Sequence, residues 1–208
     1  MLLRENTVVR FAEVLASSAP APGGGSVAAL NGALAAALLH MVGALTEGKE
    51  KYKEFRDEVL GIMDGARELQ DRLLVGIDED TEAFNKVSAV FAMPKGTDEE
   101  KAARTAAMQL ALKGAALAPL ATMRAANDCL KLTAAACGKM NVSCASDLGS
   151  AALCAIASVR AAWLNVKINL SSLKDEEFRE SIGAEARGIL AEAETLAEDL
   201  YARIEREL

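Results

Sequence analysis

Between Ser26 and Thr46 the chain carries no Lys, Arg, Asp or Glu, and its Ala, Gly and Leu residues are spread around the whole helical circumference. A helix without a polar face must be covered by other protein or by lipid. At 1.5 Å per residue the segment is about 30 Å long, close to a membrane span. Asn31, His40 and the many alanines make poor hydrocarbon-phase material. The reading is therefore a buried helix in a soluble domain, with no membrane partner.

The remaining segments also follow helical period. Thr7 caps a short helix through about Ser17, with Val8, Phe11, Val14 and Leu15 on one face. Ala19-Pro20-Ala21-Pro22-Gly23-Gly24-Gly25 stops it, because prolines and glycines are poor helix-interior residues. A long periodic stretch from Lys49 to Ala92, with a possible break at Gly76, closes at Pro94-Lys95-Gly96. Thr97 caps the next helix, whose Asp98, Glu99 and Glu100 suit the positive N-terminal dipole. That helix runs to about Ala136 with a kink expected at Pro119, and Gly138 to Ser146 is a break. Asp147 to Ser172 is again sparse in charge, with only Asp147, Arg160 and Lys167, and an acidic amphipathic helix runs from Asp175 onward.

The fold class is all-α: one domain over residues 1–208, a helical bundle with two nearly uncharged central helices wrapped by charged ones. Aromatic residues make up only 4% of the chain and alternation of β-branched with polar residues is rare, so the packing units are helices rather than strands. Two uncharged helices are more than one small bundle usually hides, which points to a homodimer.

Composition also narrows the function. A formal charge of −7 gives no long-range field to attract nucleic acid. Cys129, Cys137, Cys144 and Cys154 lack the paired spacing of a zinc site and read as small core residues in a reduced compartment. His40 is the single histidine, so neither a metal site nor a Ser-His-Asp relay is easily assembled. Arg4 and Glu5 stand where a signal peptide needs an apolar core, and the expected location is cytoplasmic.

One residue breaks the apolar stripe Leu69, Leu73, Gly76, Ile77, Asp80, Phe84, Val87, Phe91. Asp80 points inward with that stripe, whereas Asp78, Glu79 and Glu82 read as its solvated neighbours. Burial disfavours the charged carboxylate and raises its pKa, which suits proton transfer near neutrality or facing a cation. The plain alternative is a buried aspartate satisfied by a facing helix or a lysine.

Gly23, Gly24, Gly25 and Ser26 open the uncharged helix, where N–H groups and the dipole favour a carboxylate or carbonyl oxygen, or else form a tight connection with Ser26 as cap. Lys49, Lys51 and Tyr52 lie past its other end and suit an anionic tail or a solvated turn. Ser146 and Asp147 read as a helix N-cap with an acidic first turn, or as a site. Asn165 and Asn169, one turn apart, offer amide hydrogen bonds to a facing helix or to a heteroaromatic ligand such as a pterin.

Six motifs occur in order along nearly the whole chain. They are Ala21-Pro22-Gly23-Gly24-Gly25-Ser26-Val27-Ala28-Ala29, Gly48-Lys49-Glu50-Lys51-Tyr52, Asp78-Glu79-Asp80-Thr81-Glu82-Ala83-Phe84, Pro94-Lys95, Ser146-Asp147-Leu148-Gly149 and Leu164-Asn165-Val166. Together they resemble the formiminotransferase-cyclodeaminase C-terminal family.

The resemblance implies an all-helical homodimer that binds folate carrying a one-carbon unit, with no metal or other cofactor. It implies two possible activities. One closes 5-formiminotetrahydrofolate to 5,10-methenyltetrahydrofolate with loss of ammonia; the other interconverts 5,10-methenyl- and 10-formyltetrahydrofolate with water. The absence of an attached formiminotransferase domain favours the second, and a non-catalytic folate binder or adaptor is a further alternative. The family's acid/base aspartate falls in Asp-x-x-Ala/Ser-Phe, matched by Asp80, Ala83 and Phe84. By motif position, Lys49, Lys51 and Tyr52 fall to the glutamate portion, and Asn165, Ser146 and Asp147 to the pterin. The chain departs from the pattern at Asn141-Val142-Ser143-Cys144-Ala145, where a proline often follows the asparagine, and at His40, which matches no motif.

Overall fold

The computed structural model describes residues 2–208, and its long elements are helices: α1 (Val8–Leu15), α2 (Gly24–Ala44), α3 (Arg56–Phe91), α4 (Asp98–Ala136), α5 (Ala145–Ser171) and α6 (Glu176–Glu205). Short 3-10 turns occupy Leu3–Glu5, Glu50–Phe55 and Val142–Cys144. The all-α bundle read from the periodicity is the fold observed.

Capping explains the boundaries. The Thr7 hydroxyl accepts the Arg10 N–H, Thr97 and Glu100 form a reciprocal capping box, and Asp175 accepts the Phe178 N–H. The α2 boundary differs from the expectation. Gly24 and Gly25 lie inside its first turn, with Gly23 as N-cap, so Ser26 is not the cap. Similarly, α5 begins at Ala145 behind Cys144, so Ser146 sits in the first turn rather than at the cap. Helix α3 continues through Gly76, and α4 is one helix through Pro119.

The two nearly uncharged helices, α2 and α5, lie side by side; α2 also packs on α3, and α5 on α4 and α6. Small residues permit the close approach. At Gly32 a β-carbon would stand 2.8 Å from Leu73 Cδ2 and 2.9 Å from Ser158 Oγ, where α3 and α5 converge on α2. The interior is filled by Leu39, Val42, Leu73, Leu120, Met123, Leu130, Val159 and Val166. Cys129, Cys137 and Cys144 are buried and free; Cys154 is half-buried. Burial pushes the Cys129 thiol up to about 12, which removes it from thiolate chemistry.

Complete burial of α2 is not what the chain achieves. Val27, Asn31, Leu34, Leu38, Met41 and Leu45 form an outer seam at alternating spacings of four and three residues. Of these, Leu34, Met41 and Leu45 are exposed. Both α2 and the Val142–Ser171 segment are long and apolar enough to cross a membrane, and half of each apolar window is buried inside the bundle. Likewise α1 buries only Phe11, against Ala29 and Ile77, and leaves Val8 and Leu15 exposed.

Candidate active site

The N-terminus of α2 meets the middle of α3 at Asp80. A β-carbon on Gly25 would collide with the Asp80 carboxyl group, so glycine is what lets the two helices close at this point. The Ser26 hydroxyl, fully buried, lies 3.1 Å from Asp80 Oδ2, 3.0 Å from the Ile77 carbonyl and 3.3 Å from Thr81 Oγ1. One hydroxyl proton cannot serve both acceptors at once. With Asp80 ionised, Ser26 donates to it; with Asp80 protonated, the acid can donate to Ser26, which then turns its proton to Ile77.

Burial raises the Asp80 pKa above its ordinary value, and hydrogen bonds from the Ser26 hydroxyl and backbone N–H pull it partly back. Asp80 thus caps α2 from a neighbouring helix. Neither lysine, arginine nor histidine lines the pocket in front of it. The carboxyl therefore combines a raised proton affinity with an open face, the two properties a general acid/base requires.

That pocket has a volume of about 330 Å³. Gly23, Gly24 and Gly25 form one wall, Ala83, Phe84 and Val87 of α3 another, and Asn165, Ile168 and Asn169 of α5 a third. The first hydrogen bond of α2 is Val27 N–H to Gly23 O, which leaves the preceding N–H groups outside the helical ladder at the positive end of the dipole.

Both asparagines are held by their amide nitrogens. Asn165 Nδ2 donates to Ala161 O at 2.9 Å; Asn169 Nδ2 donates to Asn165 O at 2.9 Å and to Ala115 O at 2.8 Å. The Ala115 contact has a cause in sequence: Pro119 has no N–H to give the carbonyl four residues earlier, and Asn169 supplies the missing donor. Because each partner is a carbonyl, the nitrogens must face it, and the amide oxygens remain as acceptors. Gly24 packs on Asn165, where a β-carbon would be 3.2 Å from Nδ2.

The sequence profile of the formiminotransferase-cyclodeaminase family matches residues 7–188. The chain belongs to that family. It is 44% identical over 195 residues to a methenyltetrahydrofolate cyclohydrolase of Methylorubrum extorquens, covering 94% of each chain. It is 32% identical over 183 residues to the formimidoyltransferase-cyclodeaminase of Gallus gallus, of which it spans 34%. The crystal structure of formiminotetrahydrofolate cyclodeaminase from Thermotoga maritima superposes with a TM-score of 0.83, at 30% identity over 99% of this chain and 97% of that one. These relatives are enzymes of one-carbon folate chemistry.

In this family member the sequence-derived site residues divide between two ends of the bundle. Asp80, Gly23, Gly24, Gly25, Asn165 and Asn169 share one pocket, with Ser26 buried behind Asp80. Lys49, Lys51, Tyr52, Ser146 and Asp147 do not join them within the chain, because they lie beyond the far end of α2 and at the start of α5. Each of those helices is about 30–40 Å long at 1.5 Å per residue.

At that far end the Tyr52 hydroxyl accepts the Val142 N–H at 3.0 Å, and Asn141 N–H donates to Thr46 Oγ1 at 2.9 Å. The Val142 hydrogen bond, aided by Lys51 and Lys49, lowers the Tyr52 pKa. Ser146 is exposed and its carbonyl accepts the Ser150 hydroxyl. His40 is half-buried in α2, away from the pocket lining. Among the described residues no three His, Cys, Asp or Glu side chains converge on a metal position.

Two expectations about α3 need correction. Asp78 is buried, not solvated: its Oδ1 accepts the Leu3 N–H at 2.6 Å, and Arg4 lies 3.3 Å from Oδ2. The N-terminal segment folding back over α3 causes this, and nothing in the α3 period announces it. Of the apolar stripe beyond Asp80, Val87 packs against the core, whereas Phe84 and Phe91 are exposed. Ala115, which sequence reasoning missed, was marked by Pro119.

Proposed function

We propose that this chain hydrolyses 5,10-methenyltetrahydrofolate to 10-formyltetrahydrofolate, reversibly. The observation carrying the proposal is the half-buried Asp80 carboxyl, in a pocket whose lining, among the described residues, holds no cation but includes the N-terminal glycines of α2 and two asparagines. The likeness to the Methylorubrum cyclohydrolase over nearly the full length of both chains supports it.

The reacting carbon of the substrate belongs to a cationic amidinium, which a carboxylate stabilises electrostatically. As water adds to that carbon, Asp80 accepts its proton and a neutral carbinolamine forms. The same carboxyl returns the proton to the ring nitrogen as its bond to carbon breaks, and the carbinol proton passes to water as the formyl carbonyl forms, the one proton that hydrolysis of the cation releases. Ser26 accommodates both states of Asp80 by rotating its hydroxyl. The amide oxygens of Asn165 and Asn169 suit the N–H donors of a pterin.

The cyclodeaminase reaction is the second reading, favoured by the Thermotoga relative. There Asp80 would give its proton to departing ammonia. Purified protein offered each substrate separately is expected to consume methenyltetrahydrofolate absorbance faster than it releases ammonia from formiminotetrahydrofolate. The reverse ranking assigns the chain to cyclodeamination, and turnover of neither with tight folate binding makes it a folate binder.

The proposal includes a cytoplasmic homodimer. The seam of Leu34, Leu38, Met41 and Leu45 has the spacing of helix–helix packing, and Leu34, Met41 and Leu45 are exposed. A two-fold contact with α2 antiparallel to its copy would bring the far end of one chain toward the Asp80 end of the other. In that arrangement Lys49, Lys51 and Tyr52 come near a folate. Sedimentation equilibrium tests it, with Leu34→Glu expected to yield monomer.

A further inference from the structure

Pro119 is buried in the interior of α4, a helix of 39 residues that continues on both sides of it. Proline is the least favourable helix-interior residue, and here it ends nothing and turns nothing. It also stands outside the lining of the Asp80 pocket. Its effect is felt one turn earlier, at Ala115, which does line that pocket.

A proline ring gives no N–H to the carbonyl four residues before it and pushes that carbonyl away from the helix axis. Ala115 is buried, so its freed carbonyl needs a donor from elsewhere. Asn169 of α5 supplies it, with Nδ2 at 2.8 Å, and the same nitrogen donates to Asn165 O at 2.9 Å. A primary amide nitrogen has two hydrogens, and both are now in use. A flipped amide would set its oxygen against two carbonyl oxygens, so the orientation of Asn169 is doubly determined. Asn165 is held by a single such bond, from Nδ2 to Ala161 O, with Gly24 packed against the nitrogen.

We propose that Pro119 is a positioning residue for substrate: by freeing the Ala115 carbonyl it takes up the second hydrogen of Asn169 and fixes that side chain as a pure acceptor on the pocket wall. This rests on the folate reading and deepens it, because it names what sets the polarity of the wall that meets the N–H donors of the pterin. With an N–H at position 119, the Ala115 carbonyl would turn back into the α4 ladder. Asn169 would then keep Asn165 O alone and have one hydrogen left to oppose the donors of the substrate.

The test is a double-mutant cycle of Pro119→Ala and Asn169→Ala, read by steady-state kinetics on whichever folate the parent turns over faster and by thermal melting. Pro119→Ala should raise KM about three- to tenfold, the weight of one neutral hydrogen bond. Its kcat should stay within about twofold, since the pterin ring is held alike before and during reaction. Its Tm should equal or exceed that of the parent, because alanine is the best helix former. Asn169→Ala should raise KM at least as far and lower Tm by a few degrees, with the Ala115 carbonyl left buried and unpaired. The double variant should have a KM no higher than Asn169→Ala alone. Its Tm should recover, and the gain from Pro119→Ala should be larger in the Asn169→Ala background than in the parent, because only there does the returning N–H rescue an orphaned carbonyl.

An unchanged KM in Pro119→Ala, KM effects that multiply in the double variant, or equal Tm gains in both backgrounds would each overturn the proposal and leave the folate reading intact. So would a Pro119→Ala chain that fails to fold or loses Tm and kcat together, since the proline would then be a packing residue. A parent that turns over neither folate would overturn the folate reading itself, and this inference with it.

Discussion

The two ends of α2 carry similar raw material, glycines, a hydroxyl and nearby charges, but the fold uses them differently. At the first end the glycines bring the helix against Asp80, no cation lines the pocket among the described residues, and that pocket stays open in front. At the second end Thr46 and Tyr52 spend their oxygens on the backbone N–H groups of Asn141 and Val142, tying the α4–α5 connection to α2. Polar groups satisfied by the fold stabilise it; a polar group left partly unsatisfied is available to a substrate.

The same contrast recurs at shorter range on α3. Asp78 and Asp80 are two residues apart and both turned from bulk water, but Asp78 is held by Arg4 and the Leu3 N–H while Asp80 is not. If this difference matters, the largest effect belongs to Asp80→Asn. It should lower the rate of methenyltetrahydrofolate hydrolysis by about 10²–10⁴-fold, measured by the decay of substrate absorbance. An unimpaired variant would remove Asp80 from the chemistry and make the two carboxylates equivalent.

Asp78→Asn should show the opposite profile. Loss of its charge leaves Arg4 unmatched and weakens the Leu3 hydrogen bond, for about 1–3 kcal/mol of stability by denaturant titration, with kcat changed only a few-fold. A large drop in kcat at unchanged stability would merge the two residues into one site.

Tyr52→Phe sharpens the comparison between the ends of α2. Removal of the acceptor for Val142 N–H should cost about 1 kcal/mol, read as a few degrees of Tm, with no change in kcat if the far end is only a joint. A fall in kcat without a fall in Tm would show that this end also serves the reaction, across a dimer contact.

The smallest effect concerns pH. Because burial raises the Asp80 pKa, the fold favours its neutral form. That contribution is fully present below the ordinary value of 3.8 and is lost as pH rises through the raised native value. Asp80→Asn, neutral throughout, should therefore melt above the parent at pH 7 and level with it below pH 3, by calorimetry.

Much of the bundle was readable from local pattern. The uncharged run of α2, the Thr97-x-x-Glu100 box and the Asp175 cap are properties of a few neighbouring residues, and helical period acts at the same range. Asp80 stood out for that reason: a carboxylate within an apolar stripe is visible without a partner in view. Asp78 was misread because its partners, Leu3 and Arg4, lie far away in sequence, and no period on α3 encodes their return. The error at Gly24 and Gly25 has a similar origin, since their low helix propensity was outweighed by distant contacts: Gly25 clears the Asp80 carboxyl and Gly24 packs on Asn165.

By itself, then, the sequence determined the helices, their caps, the family and the one anomalous carboxylate, because each is written in residues close together or in motifs kept in order. Tertiary structure alone decided which motifs share a pocket. It put Asn165 beside Gly24 and left Lys49 and Tyr52 a helix length away, because the packing of α2 against α3 and α5 sets which ends meet.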